Sequence, residues 1–347
     1  MRAILLAAGL GTRLGPLTKI LPKCLMPVNG RPLLEYWLRS LDAAGVSEIL
    51  VNTHHLPQLV RGWLSASRWA GRVRVVDEPA LLGTGGTLVA NRDFAQGEPL
   101  LLVHADNLCD APLERFIAAH SQRAPGAVMT MMTFATDSPQ TCGILELDAN
   151  GVVLAFHEKV SRPPGNLANA AVYIVEPEVG DYASSLGKDE VDFSTEIIPH
   201  FLGRIQTWHN SGYHRDIGTV ASLLAAQVEF CHLVESQEAP AADNALAQGA
   251  QAQALAESLA EALGLPLVPL GPTTAKLPSG PAVLYLPHVS DLDSAMGLLH
   301  KSSATLVGCV AFLETAPPGF SARQVWKRLG LRCIVARIAD PAQQSEK

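Results

Sequence analysis

Leu6-Ala7-Ala8-Gly9-Leu10-Gly11-Thr12-Arg13-Leu14 closes the apolar run Ala3-Ile4-Leu5-Leu6, and a short loop separates it from Leu21-Pro22-Lys23-Cys24-Leu25-Met26-Pro27-Val28. The run Ala3 to Leu6 shows no alternation of apolar and polar residues, as expected of a first strand buried on both faces in a parallel sheet. Gly9 and Gly11 let the chain turn sharply after that strand. They also let its N–H groups approach an anion with no side chain between. Arg13 adds a forked, permanently charged donor and Lys23 a compact point charge. A glycine loop with two cations suits a triphosphate. Glycines at this place also make a tight turn with no ligand at all. The loop is not a Walker loop, because no Gly-Lys-Ser/Thr follows, and it lacks the third glycine of the dinucleotide fingerprint.

The chain has 347 residues, 48% of them hydrophobic and 17% charged, which fits a well-buried globular protein. Its formal charge of −7 argues against a nucleic-acid surface, which needs cations, so anionic substrates must be held by local positive charge. Cys24, Cys109, Cys142, Cys231, Cys309 and Cys333 are dispersed with no C-x-x-C pair, the pattern of reduced thiols in a cytoplasmic protein. The opening residues superficially resemble a signal peptide, but cleavage after Ala8 would destroy the glycine loop. No apolar run approaches the roughly 20 residues of a membrane span, so neither membrane nor nucleic acid is expected as a partner.

Strand and helix patterns alternate from the glycine loop onward. A helix is expected from Pro32 to Ala44, closed by Gly45, then a strand at Ile49–Val51. A helix from Pro57 and a strand at Val73–Val76 follow. Such alternation predicts an α/β fold, a Rossmann-like doubly wound mixed sheet. Asp77-Glu78-Pro79-Ala80-Leu81-Leu82-Gly83-Thr84-Gly85-Gly86-Thr87 reads as a polar turn before a helix through Leu88 and Val89. Leu100–Val103 is an apolar strand with Asp106 at its tip, and Asp110 is expected to cap the helix announced by Pro112. Gly143–Leu147 and Val152–Phe156 read as a hairpin delivering Glu158-Lys159, and Asn166 to Ile174 as a further strand. Asp192 is expected to cap a helix start, and a helix from Thr219 to His232 follows Tyr213-His214-Arg215-Asp216-Ile217-Gly218-Thr219. The domain division expected is 1–234, a linker at 235–253 of Ala, Gln, Glu and Pro, and a smaller α/β domain at 254–347.

The ordered strings G-x-G-T-R-L, P-K-x-L-M-P-V, E-P-x-x-L-G-T-G-G, F-x-E-K and D-I-G-T closely resemble those of the sugar-phosphate nucleotidylyltransferases, in particular the mannose-1-phosphate guanylyltransferase type, over about the first 230 residues. That resemblance implies nucleotide contacts from Ala7, Ala8, Gly9, Gly11, Thr12, Arg13, Lys23, Glu78, Leu82, Gly83, Thr84 and Asp106. It implies sugar-phosphate contacts from Gly143, Glu158, Lys159 and Asn169, and Mg²⁺ on Asp106 and Asp216. Arg13, Lys23 and Asp106 are the implied catalytic residues, transferring a nucleotidyl group, GTP favoured, to a sugar 1-phosphate. Three departures stand out: His104-Ala105 before Asp106 in place of a usual Gly, Val160 in place of a usual Pro, and Ala171 near a commoner Gly. Two alternatives remain: a cytidylyltransferase acting on a non-sugar phosphate or phosphonate, and a non-catalytic nucleotide-sugar-binding regulatory subunit. Homo-oligomerisation is left open. The C-terminal part faintly resembles a degenerate phosphoribosyltransferase, with Pro287-His288 and Leu292-Asp293-Ser294 where acids and a glycine loop would stand, so it is expected to be non-catalytic.

Overall fold

The computed structural model describes residues 1–29, 31–230, 249–269, 282–286, 306–313 and 333–337. Strand β1 (Arg2–Leu6) leads through a 3-10 turn at Thr12–Leu14 to the one-turn helix α1 (Leu17–Ile20). A second 3-10 turn at Lys23–Leu25 precedes the antiparallel pair β2 (Pro27–Val28) and β3 (Arg31–Pro32). Then come α2 (Leu33–Ala43), β4 (Glu48–Thr53), α3 (Pro57–Ser65), β5 (Val73–Asp77), α4 (Gly83–Ala90), β6 (Leu100–His104), β7 (Asn107–Cys109) and α5 (Leu113–Ser121). They are followed by β8 (Met129–Ala135), β9 (Gly143–Leu147), β10 (Val153–Glu158), β11 (Leu167–Val175), α6 (Pro177–Ser185), β12 (Ile205–His209), β13 (His214–Asp216) and α7 (Val220–Glu229). The last described elements are α8 (Gly249–Leu263), β14 (Leu267–Pro269), β15 (Ala282–Leu286), β16 (Leu306–Leu313) and β17 (Cys333–Arg337). No helix among the described residues is long and apolar enough to cross a membrane.

Contacts group the chain into two compact units. The first comprises Met1–Gly9, Trp37–His55 and Gly71–His214. Its mixed sheet runs β10-β9-β11-β6-β1-β4-β5, with β8 beside β11 and β12 beside β8. The half β6-β1-β4-β5 is parallel, whereas β11 runs antiparallel to β6, β8 and β9. Because β1 pairs with β4 on one side and β6 on the other, the strand order reverses direction there, and the carboxyl ends of β1 and β6 flank the crevice where such sheets bind ligands. Ile4 and Leu5 of β1 and Leu101 to Val103 of β6 are fully buried, as their unalternating sequence requires.

Two expectations on this unit need correction. Asp110 does not cap α5: the residue before the helix is Pro112, with no side-chain bond to the first turn, and Asp110 instead donates its N–H to the Tyr213 carbonyl at 2.9 Å. Helix α4 starts at Gly83, inside the string read as a turn. Docking outweighs the poor helix propensity of its three glycines, because the Gly85 and Gly86 N–H groups both reach the Val191 carbonyl, at 2.8 and 3.1 Å. Asp192 does cap its turn, accepting from the Thr195 N–H at 2.8 Å while Glu196 accepts from the Asp192 N–H at 2.9 Å. The reciprocal spacing is one residue longer than in an α-helix because Phe193–Ile197 is a π-turn.

The second unit comprises Leu10–Tyr36, Leu56–Ala70 and Arg215–Lys347. Thr219 caps α7, accepting from the Ser222 N–H at 3.1 Å, and Gln227 on α7 bonds the Asn29 N–H and the Pro27 carbonyl at 2.9 and 2.8 Å. Helix α8 starts at Gly249 rather than at Ala254, so its first turn occupies the end of the segment expected as linker. The remainder of that segment lies outside the described residues, as do Cys231, Pro287-His288 and Leu292-Asp293-Ser294. Strands β14-β15-β16-β17 are parallel and adjacent in sequence order. Among the described strands this sheet has no reversal of order, and thus no switch point of the kind β1 provides.

Candidate active site

The end of β1 is fixed by a buried polar network. The Ala7 N–H donates to Asn52 Oδ1 at 2.7 Å, and Asn52 Nδ2 donates to Glu78 Oε1 at 2.8 Å and to Thr87 Oγ1 at 3.0 Å. Thr87 Oγ1 also donates to Glu78 Oε1 at 2.6 Å. Asn52, Glu78 and Thr87 are all buried. A carboxylate so enclosed is tolerable only because it is hydrogen-bonded, and the result ties the β1 loop to the middle of α4. Neither Asn52 nor Thr87 was among the expected site residues. The available signal was a polar residue ending an otherwise apolar strand, Ile49-Leu50-Val51-Asn52. Ala8 is buried, whereas Gly9 is exposed and a Cβ there would meet nothing within 4 Å, which leaves its backbone approachable. Asp106 stands half-buried just past β6, where the Ala105 N–H bonds the Leu6 carbonyl at 3.0 Å. Neither His104 nor Ala105 lies in the left-handed region, so the departure from glycine imposes no backbone strain.

Within the second unit, three expected residues converge. Lys23 is buried and places Nζ 2.6 Å from Asp216 Oδ1, and the exposed Arg13 places Nη2 3.0 Å from Asp216 Oδ2. Thus both oxygens of one carboxylate hold a cation each. Gly11 carries the turn before Arg13 at φ +62°, and a Cβ there would lie 2.9 Å from Thr18 Cγ2 and 3.2 Å from Lys23 Cβ. Thr12 is exposed on the same turn. Gly218, which was not among the expected residues, supplies the clearance beside the carboxylate. A Cβ there would come within 2.7 Å of Arg13 Nη2 and 2.8 Å of Asp216 Oδ2.

The Leu82–Gly86 string is docked on Val191–Phe193. The Val191 N–H donates to the Leu82 carbonyl at 2.9 Å, and the Phe193 N–H donates to Thr84 Oγ1 at 2.9 Å. Gly83 has φ +73°, and a Cβ there would lie 2.5 Å from the Val191 carbonyl oxygen, so no other residue fits. Phe193 in turn packs on Tyr173, with ring centroids 4.6 Å apart.

Tyr173 connects this loop with the remaining expected residues. It is fully buried, and that burial pushes its phenol well above the usual range while the Glu158 carboxylate nearby acts in the same direction. Asn169 Nδ2 donates to the Tyr173 hydroxyl at 2.6 Å, and Asn169 Oδ1 accepts from the Ala171 N–H at 2.9 Å. These bonds stabilise a bulge in β11, where the pairing with β8 shifts register and Ala171 adopts φ +55°. Opposite one another on β9 and β10 stand Gly143 and Glu158, and a Cβ at Gly143 would lie 2.7 Å from Glu158 Oε2. Lys159 Nζ pairs with Glu158 Oε1 at 2.8 Å. Gly143, Glu158, Lys159 and Asn169 therefore gather at one end of this part of the sheet, with Tyr173 an unforeseen member.

Asp106 in the first unit and Asp216 in the second each carry the carboxylate oxygens that a hard cation takes. Among the described residues no group of three or more His, Cys, Asp or Glu side chains converges into a protein-only metal cage. One or two carboxylates with the remaining positions left to phosphates and water is the donor set Mg²⁺ commonly takes, so the residues present fit that ion.

A family model described as nucleotidyl transferase matches residues 2–232. The chain belongs to the nucleotidyl transferase family. A glucose-1-phosphate thymidylyltransferase of Xanthomonas campestris is 29% identical over 238 residues, covering 64% of this chain and 80% of that protein. A mannose-1-phosphate guanylyltransferase of Mycobacterium tuberculosis is 30% identical over 222 residues, covering 62% and 61%. The solved structure of HddC from Yersinia pseudotuberculosis shares the fold at a TM-score of 0.57 and 22% identity, covering 66% of this chain and 99% of that one. This nucleotidyltransferase is an enzyme whose matched region ends at residue 232, just past α7, leaving α8 and β14 to β17 beyond it.

Proposed function

We propose that this nucleotidyltransferase couples a nucleoside triphosphate to a sugar 1-phosphate, giving a nucleoside-diphosphate sugar and pyrophosphate. The observation that carries the reading is the pairing of Lys23 and Arg13 with the two oxygens of Asp216, which presents two cations beside a glycine turn. A phosphate oxygen of the sugar 1-phosphate attacks the α-phosphorus. The α–β bridging bond then breaks and its electron pair leaves with pyrophosphate. Two anionic substrates repel one another, so positioning and neutralisation supply most of the rate. Lys23 holds the α-phosphate side, Arg13 stabilises charge developing on the α-phosphate and the leaving pyrophosphate, and Lys159 holds the sugar's phosphate. Mg²⁺ on Asp106 and Asp216 would supply further neutralisation of phosphate charge. The named relatives act on glucose 1-phosphate or mannose 1-phosphate. GTP is favoured because the Leu82–Gly86 string resembles the loop of guanylyl- and uridylyl-transferring proteins.

Pyrophosphate release across the four ribonucleotides and dTTP, each with several sugar 1-phosphates, tests the reading. Turnover with GTP and a mannose- or heptose-type 1-phosphate is expected, and turnover with dTTP or CTP alone overturns the base assignment. Asp106→Asn, Asp216→Asn and chelation by EDTA should each lower turnover by orders of magnitude with the fold intact. Full activity in either variant removes that residue from the role.

A further inference from the structure

All three members of the Arg13, Lys23 and Asp216 cluster sit on segments whose next element lies against residues beyond the matched region. Helix α1, between Arg13 and Lys23, rests against α8. Strand β2, after Lys23, touches β17, and so does α7, after Asp216. The loop itself has little rigidity of its own. Gly11 and Gly15 both take positive φ on either side of Arg13, and α1 is a single turn, too short to persist without packing. Both partners bury apolar residues: Leu17 on α1 and Leu21 just after it, and Leu255, Ala256, Leu259 and Ala260 on α8. Helix α8 also lies against β14, β15 and β16. It is therefore wedged between the C-terminal sheet and α1.

We infer that α8 is the support that positions the two cations, with Leu255 and Leu259 as positioning residues. No group of α8 needs to reach a substrate; removing buried apolar volume from α8 weakens its packing and lets the glycine-flanked turn loosen, and Lys23 Nζ then leaves Asp216. The kinetic consequence rests on the reading of Arg13 and Lys23 as phosphate-holding groups, whereas the structural claim does not. Full-length Leu259→Ala, with Leu259→Met as the conservative variant, separates the two. Well below melting, the chain is treated with an amine-acylating reagent, and Lys23 labelling is measured by peptide mass spectrometry against the exposed Lys19. In Leu259→Ala the Lys23-to-Lys19 ratio should rise several-fold and kcat should fall about 10-fold, as expected for a sub-ångström displacement of catalytic groups. Leu259→Met should restore both. An unchanged ratio in a folded Leu259→Ala chain overturns the proposal. Should Leu259→Ala fail to fold, the milder Leu255→Val is read in the same way. A raised ratio in a chain that shows no transfer activity would sink the functional reading and leave the support by α8 standing.

Discussion

Gly218→Ala should damage catalysis more than stability. The added Cβ would lie 2.7 Å from Arg13 Nη2, 2.8 Å from Asp216 Oδ2 and 2.9 Å from Asp216 Oδ1. Non-bonded atoms rest at about 3.5 Å, so both groups must retreat by roughly 0.6 Å or more. Rotation of the Asp216 carboxylate gives that clearance only by disturbing the 2.6 Å bond from Lys23 and the 3.0 Å bond from Arg13. A misplacement of this size costs about 10- to 100-fold in rate, or about 1.4 to 2.7 kcal/mol of transition-state stabilisation. Stability should respond far less. Arg13 and Asp216 side chains are 64% and 43% exposed, so water screens their pairing and its loss costs about 0–1 kcal/mol, to which a weakened bond from the buried Lys23 adds. Gly218 has no positive φ to penalise alanine, and a stiffer unfolded chain offsets part of the loss. Steady-state pyrophosphate release and thermal unfolding of the same preparation read both quantities. A Gly218→Ala enzyme with parental kcat and KM would show that the geometry of this cluster does not limit the reaction.

Asn52→Leu should cost about 3 kcal/mol by leaving the buried Glu78 carboxylate and the Ala7 N–H short of a partner; an unchanged melting temperature would mean that the network adds no stability. Ala171→Gly relieves a left-handed alanine costing about 1–2 kcal/mol, offset by roughly 0.5–1 kcal/mol of glycine backbone entropy, so the melting temperature should rise slightly, and a fall would contradict the strain. His120 is buried, bonded to Thr130 and Glu176 and flanked by Arg123; burial first, then the Arg123 charge, holds its pKa below the usual value against the opposing pull of Glu176. The unfolded state therefore binds the proton more readily, so stability is lost as pH falls below about 6.5. His120→Gln should flatten that slope in urea titrations at several pH values, and an unaltered slope would assign it to other groups.

The parallel half of the first sheet was legible because a strand buried on both faces must be apolar throughout, and Ala3–Leu6 and Leu100–Val103 are. Capping was legible where one residue type serves one backbone geometry, as at Asp192, and not at Asp110, because a polar residue near a proline does not by itself place the helix start. The chemical types at Arg13, Lys23, Asp106 and Asp216 followed from motif strings in which each residue is read with its near neighbours. What the sequence could not state is who meets whom. That one carboxylate takes Lys23 and Arg13 from some 200 positions away, that Gly218 must be bare beside it, that Asn52 rather than solvent meets Glu78, and that α4 begins in a run of glycines are all settled by remote segments packing together. Local propensity is worth tenths of a kilocalorie per residue, whereas burial and desolvated hydrogen bonds are worth kilocalories each. Wherever the two compete, as beneath α1 and along Leu82–Gly86, the tertiary contacts decide the geometry.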